Sequence, residues 1–249
     1  MTEKKYSPFT LAMMGVLSYM VADVIHEVIG HGGACLVTGN KIKLLTSAYF
    51  KSSPGNVIVD IGGPIANLIF GGLAFILLKK TAIPKILLLQ VIAYNLFWFS
   101  GTILHSAISK TGDWTFAIKE VSSGTSGKFI LIVAGILFYI LFIRILNYYL
   151  ADANNKSQSN SLQRQNILYS FSFASIAAFA TGLFFRPDRI HAAFECLLEM
   201  AASLPILFLR QPVKSNITND KNTKSLFFNL IICAIFIVFC LTLGKGITP

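Results

Sequence analysis

Long apolar runs separated by short polar stretches dominate this chain. A helix needs about 20 largely apolar residues to cross a bilayer, and six or seven runs reach that length. They are expected at about residues 9–37, 57–78, 84–107, 129–150, 168–185 and 226–243. The segment 190–209 decides between six and seven, because it mixes apolar residues with His191, Glu195, Glu199 and Pro205. Turn formers and charges punctuate the runs: Gly39-Asn40-Lys41, Ser52-Ser53-Pro54-Gly55, Lys79-Lys80, the Gly/Ser-rich 122–127 and Arg186-Pro187-Asp188. The run 129–150 is almost pure Ile, Leu and Phe apart from Arg144 and reads as a lipid-facing wall. Residues 151–165, rich in Asn, Ser and Gln, read as a mobile linker. With no internal repeat and no separate soluble segment, residues 1–249 read as a single integral membrane domain. The predicted fold class is all-α, a polytopic transmembrane helix bundle.

Composition agrees with the pattern. Hydrophobic residues make up 54% of the chain and charged residues only 13%, with a mean hydropathy of +0.66. The 21 Lys and Arg against 11 Asp and Glu give +10. They fall mainly in the connecting loops, where they set topology and touch anionic headgroups. No nucleic-acid-binding module accompanies them, so the expected partner is the lipid bilayer and not nucleic acid. Their split between the two sides is too even to orient the chain. Cys35, Cys196, Cys233 and Cys240 all lie in apolar segments without a CxxC pair and read as small packed hydrophobes. Lys4 and Lys5 before an apolar run resemble a signal peptide, but the run continues into His26 and Glu27, so it reads as a retained first span. Lys/Asn-rich loops and short tails point to a bacterial plasma membrane.

The chemistry concentrates in His26-Glu27-Val28-Ile29-Gly30-His31, inside the first apolar run. Two imidazoles with a glutamate beside the first are the parts of a zinc hydrolase site: His26 and His31 to bind the metal, Glu27 to move protons. Ionisable groups within a membrane segment are expensive, which makes them candidates for function. Their spacing conflicts with a regular helix. Residues i and i+4 lie about 40° apart around an α-helix, whereas i and i+5 lie about 140° apart. The two histidines can therefore share one metal only if the helix widens or ends between them, as a π-bulge allows. Gly30, Gly32 and Gly33 permit that. The alternative is two unrelated histidines packed in the bundle, with the glycines serving close helix contact.

A catalytic zinc takes three protein ligands and keeps one position open, so a third ligand is required. Asp113, after the third run and flanked by Gly112 and Trp114, is one candidate; it also reads as an interfacial loop residue beside an aromatic anchor. His105 is either a ligand, a supporting partner or a helix contact. His191, Glu195 and Glu199 share a helix face, which makes Glu195 a rival third ligand or the three together the polar face of an interfacial helix. Asp23, one turn before His26, is placed to hydrogen-bond an imidazole. Asp60 reads as a charge at a span end.

Two families share parts of this picture. The string resembles the HELLGH of dipeptidyl peptidase III, a soluble zinc peptidase with the same longer spacing, and Phe194-Glu195-Cys196-Leu197-Leu198-Glu199 echoes its EECRAE ligand segment. The broader resemblance is to the site-2 protease family of intramembrane zinc metalloproteases. There an HExxH near the end of an early span is followed by a Gly-Pro-[Ile/Leu]-Ala-Asn segment. Gly63-Pro64-Ile65-Ala66-Asn67 has that form. The family's third element is an Asn-Leu-Leu-Pro stretch leading to Asp-Gly. Its nearest counterpart here is Asn95-Leu96-Phe97 followed by Gly112-Asp113-Trp114, which lacks the proline and the final glycine.

This resemblance covers roughly residues 15–115 and implies a metalloprotease-like core over 1–115, with additional spans over 129–249. It implies one catalytic Zn²⁺ on His26, His31 and Asp113, with Glu27 as the proton-transferring base. Asn67 and Asn95 would bind the substrate backbone or stabilise the oxyanion; interhelical hydrogen bonding is the alternative for both. The substrates would be transmembrane segments of membrane proteins. A second reading, from the altered spacing and loose third element, is a catalytically inactive relative that binds or escorts membrane proteins.

Overall fold

The computed structural model describes residues 6–77, 84–115, 125–152, 160–209 and 223–248. The first apolar run becomes one rod from Pro8 to Val37. It opens as α1 (Pro8–Asp23), where Ser7 Oγ accepts from the Thr10 amide and Pro8 occupies the first turn. Most side chains from Thr10 to Asp23 are buried, because α1 is a central helix with neighbours on several sides. The rod continues as a π-helical segment, Val24–Gly32, and ends as α2, Gly33–Val37.

The chain then forms a small antiparallel hairpin, β1 (Lys41–Leu45) and β2 (Phe50–Ser53), with Leu45 opposite Phe50. Leu45 also exchanges both backbone hydrogen bonds with Ile247, at 3.0 and 2.9 Å, so the chain's last described stretch straps the hairpin's other edge. Four long helices follow: α3 (Val57–Leu77), α4 (Lys85–Ser109), α5 (Thr125–Asp152) and α6 (Asn160–Gly182). The shorter α7 (Arg189–Ala201) leads into a 3-10 turn at Leu204–Phe208. Finally α8 (Thr223–Phe239) ends in a wide π turn at Cys240–Gly244.

α1 is the hub. α4, α6 and α8 pack around it, α3 packs on α4 and on the π segment, α5 lies against α4, and α7 lies against α6. Glycines set the closest of these approaches. A Cβ on Gly30 would fall 2.5 Å from the Gly63 Cα, and one on Gly62 would fall 2.7 Å from the Gly30 carbonyl oxygen. The π segment and α3 therefore touch backbone to backbone.

Six helices are long and apolar enough to cross a membrane, by length and composition: Pro8–Val37, Val57–Leu77, Ile86–Ser109, Ser126–Tyr148, Arg189–Phe208 and Leu226–Gly244. Three expectations change. The all-α expectation gains a β-hairpin where the sequence reads as a polar loop. The segment expected at 168–185 starts earlier, as α6, and falls outside these six because Asn, Gln and Ser dilute its apolar residues. The segment 190–209 joins them instead. The linker expected at 151–165 is helical at both ends, with 153–159 outside the described residues. Lys79, Lys80 and residues 122–124 of the Gly/Ser-rich 122–127 also lie outside them. α5 leaves much of its apolar surface exposed, with Phe129, Ile130 and Leu137 facing outward. Cys35, Cys196 and Cys240 are buried, Cys233 is half-buried, and all four are free thiols.

Candidate metal centre

The π-helical stretch resolves the spacing conflict. An i→i+5 hydrogen-bond ladder widens the turn, so that i+5 takes the place i+4 holds in an α-helix. His26 and His31 consequently face the same side, with their Nε2 atoms 3.2 Å apart. Both are almost fully buried, as is Glu27 between them in sequence.

Each imidazole is oriented from behind. His26 Nδ1–H donates to Asn67 Oδ1 at 2.6 Å, and His31 Nδ1–H donates to the Val59 carbonyl at 2.7 Å. An acceptor at each Nδ1 keeps the proton there and leaves each Nε2 lone pair facing inward. Asn67 is held in turn: its Nδ2 donates to the Ala22 carbonyl at 3.1 Å and to Asn95 Oδ1 at 2.8 Å. Asn95 Nδ2 donates to the Val91 carbonyl at 2.7 Å. Both asparagines thus serve an interhelical relay that ends on His26, and Asn67 has no N–H left over. Asp23 does not play the expected part beside an imidazole: both its oxygens are buried without a hydrogen-bond partner among the described residues.

Asp113 arrives from the turn after α4. Lys110 takes a left-handed conformation (φ 61°) and Gly112 a positive φ of 94°, where a side chain would also press on His105 and Ser106. The chain thereby doubles back on α4. The Trp114 amide donates to Ser106 Oγ at 3.2 Å and the Trp114 indole N–H to Thr102 Oγ1 at 3.1 Å. This sets Asp113 Oδ2 3.3 Å from His26 Nε2 and Oδ1 3.6 Å from His31 Nε2. One ligand atom from each of His26, His31 and Asp113 lies within 4.8 Å of the others, so these three residues could hold a metal ion. Glu195 is not part of this cluster.

The cluster forms the inner wall of a cavity of about 480 Å³. Phe50 of the hairpin stacks on His31, ring centroids 5.3 Å apart, and Trp98 meets His26 edge-on at 5.9 Å. Glu27 lines the cavity, and its Oε2 has no hydrogen-bond partner among the described residues. Asp60, in the first turn of α3, and His105 line it as well, and His105 is not part of the cluster.

α7 contributes His191, Glu195, Leu198 and Glu199 to the cavity lining. Burial, with Glu195 and Asp188 nearby, pushes the Tyr49 phenol up to about 12. Tyr49 is therefore the donor in its 2.6 Å hydrogen bond to His191 Nδ1, which ties hairpin to helix at the cavity's edge.

Several of these parts leave no trace in the sequence motif. The Val59 carbonyl carries no side-chain signal at all. Tyr49-Phe50, an aromatic pair inside an otherwise polar loop, is the one hint that the hairpin covers a site. No protein-family model, no curated protein and no solved structure matches this chain.

Proposed function

We infer that the protein is a zinc-dependent intramembrane endopeptidase, a multi-pass protein of a bacterial plasma membrane with a site-2-protease-like core. The observation that carries this reading is the pair of inward-facing Nε2 atoms 3.2 Å apart with the Asp113 carboxylate beside them. With both Nδ1 protons committed to carbonyl oxygens, neither imidazole has a hydrogen to offer the other. Two lone pairs and a carboxylate converge on a place that wants a cation. Zinc–nitrogen bonds of about 2.0–2.1 Å meeting at a tetrahedral angle put their nitrogens about 3.3 Å apart, close to the spacing observed. Gly63 gives further support: a Cβ there would press against His31 Nε2 and fall 2.7 Å from His26 Nε2, filling the space where the ligand atoms converge. Two imidazoles and one carboxylate, with the remaining side open to a cavity, form the donor set of a catalytic zinc.

Zinc held there supplies Lewis acidity, polarising a scissile carbonyl and acidifying water. The protein's own residues do the rest. Glu27, a buried carboxylate with an unengaged oxygen, takes a proton from the attacking water and passes it to the leaving amine. Asn67, through Asn95, keeps His26 in the tautomer that presents Nε2. A membrane segment must unwind locally to expose a peptide bond there, because a helix engages its carbonyls in its own ladder. Glu27 lining the cavity beside the two histidines favours an active enzyme over an inactive escort.

Metal analysis of the purified full-length protein tests this reading. About one zinc per chain is expected, removed by chelation and lost in the His26→Ala and His31→Ala variants. A folded protein that neither contains nor takes up zinc would overturn it.

A further inference from the structure

The cavity is acidic within a basic chain. Of 11 acidic residues in the sequence, five line it: Glu27, Asp60, Asp113, Glu195 and Glu199. None of the 21 Lys and Arg does so among the described residues. Some of the five are accounted for, since Asp113 faces the two histidines and Glu195 lies 3.6 Å from His191 Nε2. Asp60 and Glu199 have no ion-pair partner among the described residues. The Glu199 Oε2 is closed off from the surface and no donor reaches it. Glu27, only 3% exposed, carries a second such oxygen, and both residues line the cavity. Carboxyl groups lining a cavity without a donor are costly to ionise, and a ligand that brings a cationic donor into the cavity offsets that cost.

The α7 wall has the shape such a ligand needs. Glu195 and Glu199 stand one helical turn apart, and Leu198 and Ala202 line the cavity beside them. Apolar side chains next to a carboxylate pair match a long aliphatic stem with a charged head, which is how lysine and arginine pack. A neutral or acidic side chain would leave the same carboxylates unpaired.

We propose that the Glu195–Glu199 wall of the cavity is a subsite for a lysine or arginine side chain, selecting membrane segments that carry a basic residue beside the scissile bond. Such residues are common where transmembrane segments meet the aqueous phase. The proposal rests on the peptidase reading of the same cavity.

The test is binding without turnover. Two fluorescent single-span peptides, identical except for Lys or Gln at the end of the apolar segment, are titrated onto the zinc-loaded full-length Glu27→Gln protein in nanodiscs. The Lys peptide is expected to bind about tenfold tighter, the worth of a charge-assisted hydrogen bond. Adding Glu195→Gln and Glu199→Gln brings the ratio to about one, and Glu195→Lys with Glu199→Lys reverses it for a Glu-bearing peptide. Should the double variants not fold, raising salt on the Glu27→Gln protein is expected to narrow the Lys preference. Equal binding of the two peptides, as a protonated Glu199 would give, overturns the subsite, as does a preference that survives both replacements. The two readings fail separately. Cleavage by wild type without charge preference removes the subsite and leaves the peptidase. A charge preference that depends on Glu195 and Glu199 in a protein that never cleaves removes the peptidase and leaves the subsite.

Discussion

Asn67 Oδ1 lies 2.6 Å from His26 Nδ1, and this contact between α3 and the π segment fixes which imidazole nitrogen faces the cavity. Replacing Asn67 by Ala removes the acceptor and frees the ring to rotate or change tautomer. Loss of such an outer partner typically weakens metal affinity by about 10–100-fold, and that is the expected result in a competition titration against a chromophoric chelator. Asn67→Asp keeps an acceptor at the same place and is expected to retain more affinity than Asn67→Ala. Unchanged affinity in Asn67→Ala would mean that His26 needs no orienting partner.

Neighbouring glycines on α3 are expected to fail in different ways. A methyl group at Gly63 meets both Nε2 atoms, whereas one at Gly62 meets the Gly30 carbonyl and the Ala34 side chain. Gly63→Ala should therefore lose at least about tenfold in zinc affinity. Gly62→Ala should lower thermal stability through overpacking of about 1–3 kcal/mol, losing zinc only as the fold loosens. Zinc titrations beside melting curves in the same detergent separate the two. Identical behaviour of both variants would show that Gly63 serves helix spacing alone.

Asp113 and Glu195 are rivals for the third ligand on sequence grounds; both line the same cavity, but only Asp113 lies in the cluster with His26 and His31. Asp113→Ala is expected to cost at least about tenfold in zinc affinity, while Glu195→Ala keeps zinc near the wild-type level. Equilibrium dialysis with elemental analysis reads both. The reverse pattern would assign the metal to the α7 side.

The sequence made the helical character and the essential residues of the candidate site readable, for identifiable reasons. Apolar runs announce long helices because length and hydrophobicity are local properties. The His26–His31 spacing announces a departure from α-helical geometry because residues five positions apart do not share a face on a regular helix, and the structure has a π-helical stretch at Val24–Gly32. Other features are tertiary and carry no such signal. The hairpin forms from a polar stretch because Leu45 pairs with Phe50 on one side and with Ile247, some two hundred positions away, on the other. His31 is oriented by a backbone carbonyl that any residue at position 59 would provide. Asp23 shows the opposite error: a spacing of one turn suggested a contact with His26 that Asn67, from another helix, makes instead.

Cleavage by the Glu27→Gln variant tests the central claim most directly. Wild type and variant, each reconstituted in liposomes and each shown to hold one zinc, are given the same single-span substrate. General acid–base residues contribute about 10²–10⁴-fold to rate. The account predicts specific cleavage by wild type and a loss of that order in Glu27→Gln with zinc content unchanged. Cleavage at the wild-type rate by Glu27→Gln, or no cleavage by zinc-loaded wild type of any single-span substrate bearing a basic flank, would contradict it.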